Sequence, residues 1–97
     1  MEISDIRIRR IYHKGRLKAI VSVTVDEVLA VHDIKVIQGD NRMFVAMPSR
    51  SDSKGGFKDI VHPITESARR EFEDKILLAY NDYTEHLNYR KTQTEEF

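Results

Sequence analysis

Residues 43–64 read MFVAMPSRSDSKGGFKDIVHPI, and this stretch separates a sheet-forming half of the chain from a helical half. It opens with the alternating strand pattern MFVAM, which Pro48 ends because proline cannot donate to a strand ladder. A polar loop over 49–56 follows. A second apolar run over 57–64 includes a short predicted strand at 57–61 and ends just before a helix.

Four segments, the last of which contains MFVAM, have the alternation of apolar and polar residues that is typical of half-buried strands. They are 2–12, 17–25, 28–37 and 42–47. Short connections rich in turn-forming residues join them, such as HKGR and QGDN. The third segment is apolar on both faces, which favours a central position. Three tight connections in succession predict an antiparallel β-meander.

The segment after Thr65 has the pattern of one amphipathic helix. Thr65 is a suitable N-cap, and Glu66 lies where its charge favours the helix dipole. Apolar residues recur at helical spacing and should pack on the sheet. They are Ala68, Phe72, Ile76, Leu77, Leu78, Ala79, Tyr80, Tyr83 and Leu87. We therefore predict an α+β fold, a meander of four to five strands with a C-terminal helix on one face.

The length of 97 residues fits one domain, which we place at 1–87, with a flexible tail at 88–97. Cysteine is absent, which excludes thiolate catalysis and thiolate metal sites. No apolar run reaches the roughly 20 residues that span a bilayer, so we expect a cytoplasmic protein without membrane insertion. One helix covers one face of the sheet. We expect a homodimer, formed by sheet pairing or by the other face, to cover that other face, where Ile11, Ile20 and Phe44 are predicted.

Charge is unevenly distributed although the formal net charge is zero. Residues 1–25 have an excess of basic side chains, and residues 66–86 have an excess of acidic ones. The basic side chains around the loop and the helix start are candidates for phosphate binding. They are Arg50, Lys54, Lys58, Arg69 and Arg70. A second basic face is predicted from Arg7, Arg9 and Lys18.

Catalytic and metal-binding patterns are weak. The pairs His32-Asp33 and Asp59…His62 match no recognised ligand spacing, so hydrogen bonding within the fold is the favoured interpretation. Gly55-Gly56 lacks the lysine and the helix of a phosphate loop. We expect no enzyme activity, no metal and no cofactor.

Three segments resemble the SpoVG family (stage V sporulation protein G): DIRIRRI at 5–11, VHDIKVIQGDNRMFVAMPSR at 31–50 and GFKDIVHPI at 56–64. The resemblance implies a small α+β dimer and a bacterial regulator linked to septation, sporulation and control of gene expression. It also implies binding to DNA, and in several members to RNA, through basic side chains of the loop-to-helix region. Ser51, Asp52 and Gly56 depart from the loop pattern of the family.

Two functions from different classes are therefore open. The first is a dimeric regulator that binds nucleic acid through the loop and the helix start. The alternative is a protein–protein adaptor that binds a division-machinery protein during septum assembly, without specific nucleic-acid binding. The first predicts binding that falls steeply with salt, and the second predicts partner binding that survives neutralisation of the loop.

Overall fold

A computed structural model describes residues 1–94 of the chain, with side chains up to His86. Six strands precede one helix. The strands are β1 (Ile3–Ile11), β2 (Leu17–Val25), β3 (Leu29–Gln38), β4 (Met43–Ala46), β5 (Ser49–Ser51) and β6 (Phe57–Asp59), and the helix is α1 (Glu66–Thr94). The predicted α+β class is confirmed.

Strands β1 to β4 form one antiparallel sheet in sequence order, which confirms the predicted meander. The β2–β3 turn is tight because Asp26 and Glu27 both have positive φ, at 52° and 61°. Two positive φ values in succession give a turn whose twist matches the flanking strands. The carboxylate of Asp26 also accepts a hydrogen bond from the backbone N–H of Glu2, at 2.6 Å, which ties the start of β1 to this turn.

The core lies between the sheet and α1. On the sheet it consists mainly of alternating residues of β2, β3 and β4, which are Ala19, Val21, Val23, Val25, Val31, Ile34, Val36 and Val45. Phe72 and Ile76 of α1 pack into the same cluster, with Leu77 and Tyr80 at its margin. Burial raises the pKa of the Tyr80 hydroxyl. The predicted helix stripe is confirmed at these positions, whereas Leu78 is 71% exposed and lies outside it.

Thr65 caps α1 as predicted: its Oγ1 accepts from the backbone N–H of Ala68 at 3.1 Å. The helix continues to Thr94, into the segment 88–97 for which we expected a flexible tail. The last part of that segment, 95–97, lies outside the described residues. Within the described part of the chain, no helix is both long and apolar enough to cross a membrane.

The fifth strand differs from the prediction in its partner. The segment 57–61 gives β6, which pairs with β5 in a separate two-stranded hairpin instead of extending the meander. The sequence Ser-Arg-Ser of β5 has no apolar residue, so strand periodicity could not reveal it.

Ile11 is also placed differently from the prediction. It packs against the core and pairs with Ala19, because a register shift between Ile8 and Arg10 returns it to the helix side. Ile20 and Phe44 lie on the outer face of the sheet, which we define as the face turned away from α1.

The packing of α1 on the sheet predicts a large effect of one helix substitution. Ile76 is fully buried, so Ile76→Ala should lower the free energy of unfolding by about 2–5 kcal/mol through lost burial and a residual cavity. Leu78→Ala, two residues away but exposed, should change it by less than about 0.5 kcal/mol. Urea unfolding of both variants measures the difference, and equal losses would contradict the described orientation of α1.

Candidate nucleic-acid interface

The β5–β6 hairpin brings Arg50 and Lys58 together. These two residues are direct cross-strand partners, so their side chains project from the same face of the hairpin. The flanking pairs, Ser49 with Asp59 and Ser51 with Phe57, project from the opposite face. The hairpin therefore has one cationic face and one face that carries Phe57.

Asp52 organises the tip of this hairpin. Its Oδ1 accepts hydrogen bonds from the backbone N–H groups of Lys54, at 2.8 Å, and Gly56, at 2.9 Å. The backbone N–H of Asp52 in turn donates to the carbonyl of Gly56 at 2.8 Å. Gly55 has a φ of 83°, in the left-handed region that glycine adopts without a steric cost. The departures from the family loop at Asp52 and Gly56 thus form an ordered turn that carries Lys54 at its tip.

Arg69 and Arg70 lie on the first turns of α1 and point in different directions. Arg70 donates to the carboxylate of Glu66 at 3.4 Å, in an exposed i, i+4 pair. Arg69 borders a small recess with Met47, Pro63 and Phe72 on the sheet side of the helix. The five predicted residues thus form a hairpin group (Arg50, Lys54 and Lys58) and two separate helix arginines.

The three cations of the hairpin group outnumber the two carboxylates of residues 49–64, Asp52 and Asp59. Among the described residues, no ion pair involves Arg50, Lys54 or Lys58. The carboxylate of Asp52 is occupied by the backbone N–H groups of the tip. Like charges directly opposite each other on a hairpin repel, and an anion bound between them relieves that repulsion. A phosphate group, which accepts several charge-assisted hydrogen bonds, fits these donors.

The second predicted basic face is only partly assembled. Arg7 and Arg9 lie on the outer face of β1, where Arg7 forms an ion pair with Asp5 at 2.9 Å. Lys18 borders a different groove, shared with Tyr80 and Thr84 of α1. Arg10 lies on the outer face instead, because it pairs with Ile20. Arg10 was not among the residues predicted for this face, although the IRRI spacing of 8–11 breaks the alternation of the strand.

The histidines form no assembled catalytic or metal group in the described part of the chain. His32 Nδ1 lies 2.9 Å from Ser22 Oγ, and His62 Nδ1 lies 3.0 Å from the carbonyl oxygen of Pro63. His86 Nδ1 lies 2.9 Å from the carbonyl oxygen of Asp82, on the same helix. Over those residues, no group of three or more histidine or acidic side chains could hold a metal ion.

Apolar side chains are exposed on and after the hairpin. Phe57 is 76% exposed, Ile60 66% and Ile64 89%. All six strand residues of the hairpin are exposed as well. An isolated two-stranded hairpin is at best marginally stable in water, so this arm (49–64) lacks a core of its own. This group of exposed large apolar side chains within 57–64 is a candidate interaction surface.

Comparison with known proteins identifies the family. The sequence model of the SpoVG family matches residues 1–82. The chain belongs to the SpoVG family. It is 50% identical to a Clostridium acetobutylicum protein over 96 residues, which cover 99% of this chain and 100% of the relative. It is 49% identical to a Clostridioides difficile protein over 82 residues (84% and 89%). It is 40% identical to a Staphylococcus haemolyticus protein over 96 residues (99% and 96%). All three relatives carry the name "Putative septation protein SpoVG".

The hydrogen bonds of Asp52 predict a local effect on the hairpin tip. Asp52→Ala removes the acceptor for two backbone N–H groups, so the amides of Lys54 and Gly56 should exchange with solvent several times faster. The global free energy of unfolding should change by less than about 0.5 kcal/mol, because the tip lies outside the core. Hydrogen exchange followed by NMR measures the first quantity. Asp52→Asn keeps an acceptor oxygen and should stay close to the parent, and faster exchange in both variants would contradict this role.

Proposed function

We propose that this protein is a cytoplasmic, non-enzymatic regulator that binds DNA and RNA as a homodimer and acts in septation and sporulation. The link to septation comes from the names of its relatives, and the resemblance to the family supports the regulatory role. The observation that carries nucleic-acid binding is the pairing of Arg50 with Lys58 across the hairpin.

The cationic face of the hairpin suits a phosphate backbone better than a base edge. Arg50 and Lys58 stand side by side, and Lys54 extends the row of charge to the tip. Contacts of this kind supply affinity and orientation, whereas sequence is read by contacts to base edges. The hairpin alone therefore gives binding with little sequence preference. Arg69 adds positive charge at the start of α1, where Arg70 is paired with Glu66 and where backbone N–H groups also favour an anion.

The opposite side of the hairpin supports the homodimer. Phe57 projects away from Arg50 and Lys58, and Ile60 and Ile64 follow it in the connection to α1. A second copy of the chain would present the same self-complementary surface around a two-fold axis. Pairing through this surface would bury the apolar side chains and give the coreless arm a partner. It would also leave both cationic faces free, so that one dimer offers two phosphate-binding surfaces.

The adaptor is the second candidate, and the same exposed side chains favour it. Phe57, Ile60 and Ile64 could be covered by a division-machinery protein instead of a second copy. In that case the arm is the functional site and the cations are solvated surface charges. Nucleic-acid binding would then be weak and independent of sequence.

Salt-dependent binding tests the nucleic-acid interface. For the variant R50A/K54A/K58A, we expect weaker binding to duplex DNA and to single-stranded RNA. Its slope of log K against log salt on duplex DNA should be shallower by about 2–3, because each phosphate that the protein neutralises adds about 0.9 to that slope. Fluorescence anisotropy at several salt concentrations gives both quantities.

The matched control for this experiment is K14A/R16A/K75A. It removes the same number of positive charges away from the hairpin, where Arg16 pairs with Asp40 and Lys75 with Glu71. Its slope should stay close to that of the parent. Equal slopes for the hairpin variant and the parent would place the interface elsewhere. Absence of binding to either nucleic acid at low salt would exclude the regulator and favour the adaptor.

Apolar-to-polar substitution of the arm tests the homodimer. The variant F57S/I60S/I64S should have the mass of a monomer in light scattering at concentrations where the parent is a dimer. L78S is the control, because Leu78 is comparably exposed but lies on the helix, and it should leave the mass unchanged. A parent that is monomeric across the range would contradict the dimer. If the parent and L78S then bind a division-machinery protein and F57S/I60S/I64S does not, the adaptor is supported.

A further inference from the structure

Two β-bulges flank strand β2, one in β1 and one in β3, and add polar residues to the outer face of the sheet. In β1, Arg9 and Arg10 occupy the interval between Ile8 and Ile11, both of which pack on the core side. In β3, the interval between the buried residues Val31 and Ile34 contains His32 and Asp33. Strict alternation would leave one residue between two core residues, and each strand has two. Asp33 has a φ of 62°, which places it in the left-handed region.

The two bulges concentrate polar side chains around Ser22 of the central strand β2. Ser22 is only 7% exposed and is the one buried polar residue among those described. The Nε–H of Arg9 reaches Ser22 Oγ at 3.4 Å, and Ser22 Oγ lies 2.9 Å from His32 Nδ1. Because the guanidinium only donates, the Ser22 hydroxyl is free to donate to His32 Nδ1. In the tautomer in which Ser22 donates to Nδ1, the ring proton of a neutral His32 is on Nε2, the nitrogen that Ser22 does not contact.

These side chains line an open groove of about 470 Å³. Its remaining walls are Tyr12 and Ile20, an aromatic ring and an aliphatic side chain. Asp33 is the acidic residue of the groove, and no ion pair of the described residues involves Arg9, Arg10 or Asp33. A bulge on the edge strand alone could serve to blunt the edge, but one on the pair β2–β3 cannot serve that purpose.

We propose that this outer-face groove is a phosphate site that takes a nucleotide, free or within a single strand. Arg9 and Arg10 supply the charged donors for the phosphate, and the Nε2–H of a neutral His32 adds an uncharged donor. The ring of Tyr12 and the side chain of Ile20 offer an apolar surface for the base. Base stacking on an aromatic side chain tolerates any base, so the groove selects the phosphate more strongly than the sequence. This site is separate from the hairpin and stands whether or not the hairpin binds nucleic acid.

Chemical-shift mapping of the backbone amides with adenosine monophosphate, inorganic phosphate and adenosine tests the groove. The nucleotide should shift the amides of Arg9, Arg10, Tyr12, Ser22 and His32. Inorganic phosphate should shift a subset of them and compete with the nucleotide, whereas adenosine should bind more weakly than either phosphate compound. Shifts confined to the hairpin, or adenosine binding as well as the nucleotide, would overturn the proposal.

Two double variants distinguish binding in this groove from attraction to the general positive charge of the outer face. R9Q/R10Q should bind the nucleotide about tenfold more weakly, because each charge-assisted hydrogen bond is replaced by a weaker neutral one. R7Q/K35Q removes the same charge from the same face outside the groove and should change affinity by about twofold at most. Equal losses of nucleotide affinity in both variants would show that binding depends on the general charge of this face, and would overturn the proposed site.

Titration with a short single-stranded RNA distinguishes a site for a free nucleotide from a site for a nucleotide within a strand. The RNA is titrated into R50A/K54A/K58A, where hairpin binding is removed. If RNA shifts the groove amides at lower concentration than the mononucleotide does, the site serves a strand. If the mononucleotide binds at least as tightly, the site serves a free nucleotide. If neither shifts the groove, the proposal is wrong, whatever the hairpin does.

Discussion

The contact between one apolar sheet face and Phe72 and Ile76 of α1 determines the rest of this structure. The core residues of the strands on that face are buried and, apart from Ala19, β-branched, and the helix supplies one aromatic and one aliphatic side chain. A chain of this length has surface to bury for one such core only. Because α1 occupies one face, the outer face and the β5–β6 arm remain free of any core role. Both surfaces proposed for binding lie there.

The bulges show how the core constrains those free surfaces. Each register shift keeps an apolar residue on the helix side: Ile11 after the first shift and Ile34 after the second. The extra residue of each bulge cannot also lie on the helix side, so it lies on the outer face. Arg10 and Asp33 therefore gain their positions through the register of the core. A deletion of either bulged residue would move the apolar side chains out of the core, so the polar cluster and the fold are linked.

The sequence was sufficient for the parts of the fold in which local pattern and tertiary contact agree. Alternation in 17–25 predicted the buried face of β2, and Thr65 predicted the cap of α1. The sequence was insufficient where a strand depends on its partner. Ser49–Ser51 has no apolar residue and becomes a strand only by pairing with β6. The site followed the same rule: Arg50 and Lys58 were both predicted, but their direct pairing is a property of hairpin register.

Lys18 and Arg10 are two further residues whose positions depend on strand register and could not be predicted from local pattern. Simple alternation placed Lys18 beside Arg7 and Arg9 and left Arg10 out. In the structure a register shift lies next to each residue, between Leu17 and Ala19 and between Ile8 and Arg10. The spacing of apolar residues in IRRI and VHDI contains this information, because two polar residues separate core positions there. To infer the register shifts from this spacing, one must know which face of the sheet is buried, and the position of α1 determines that face.

A protein with zero formal net charge can still present positive surfaces where cations locally outnumber carboxylates. Here Asp5, Asp40, Glu66, Glu71 and Glu73 form ion pairs with Arg7, Arg16, Arg70, Lys75 and Arg42. Asp52 is engaged with backbone N–H groups, and Asp26 binds the start of β1. The cations of the hairpin and of the outer-face groove lie outside these pairs. Local field, and not net charge, governs the approach of a polyanion within a Debye length of about 8–10 Å. The neutral composition is therefore compatible with phosphate binding at both surfaces.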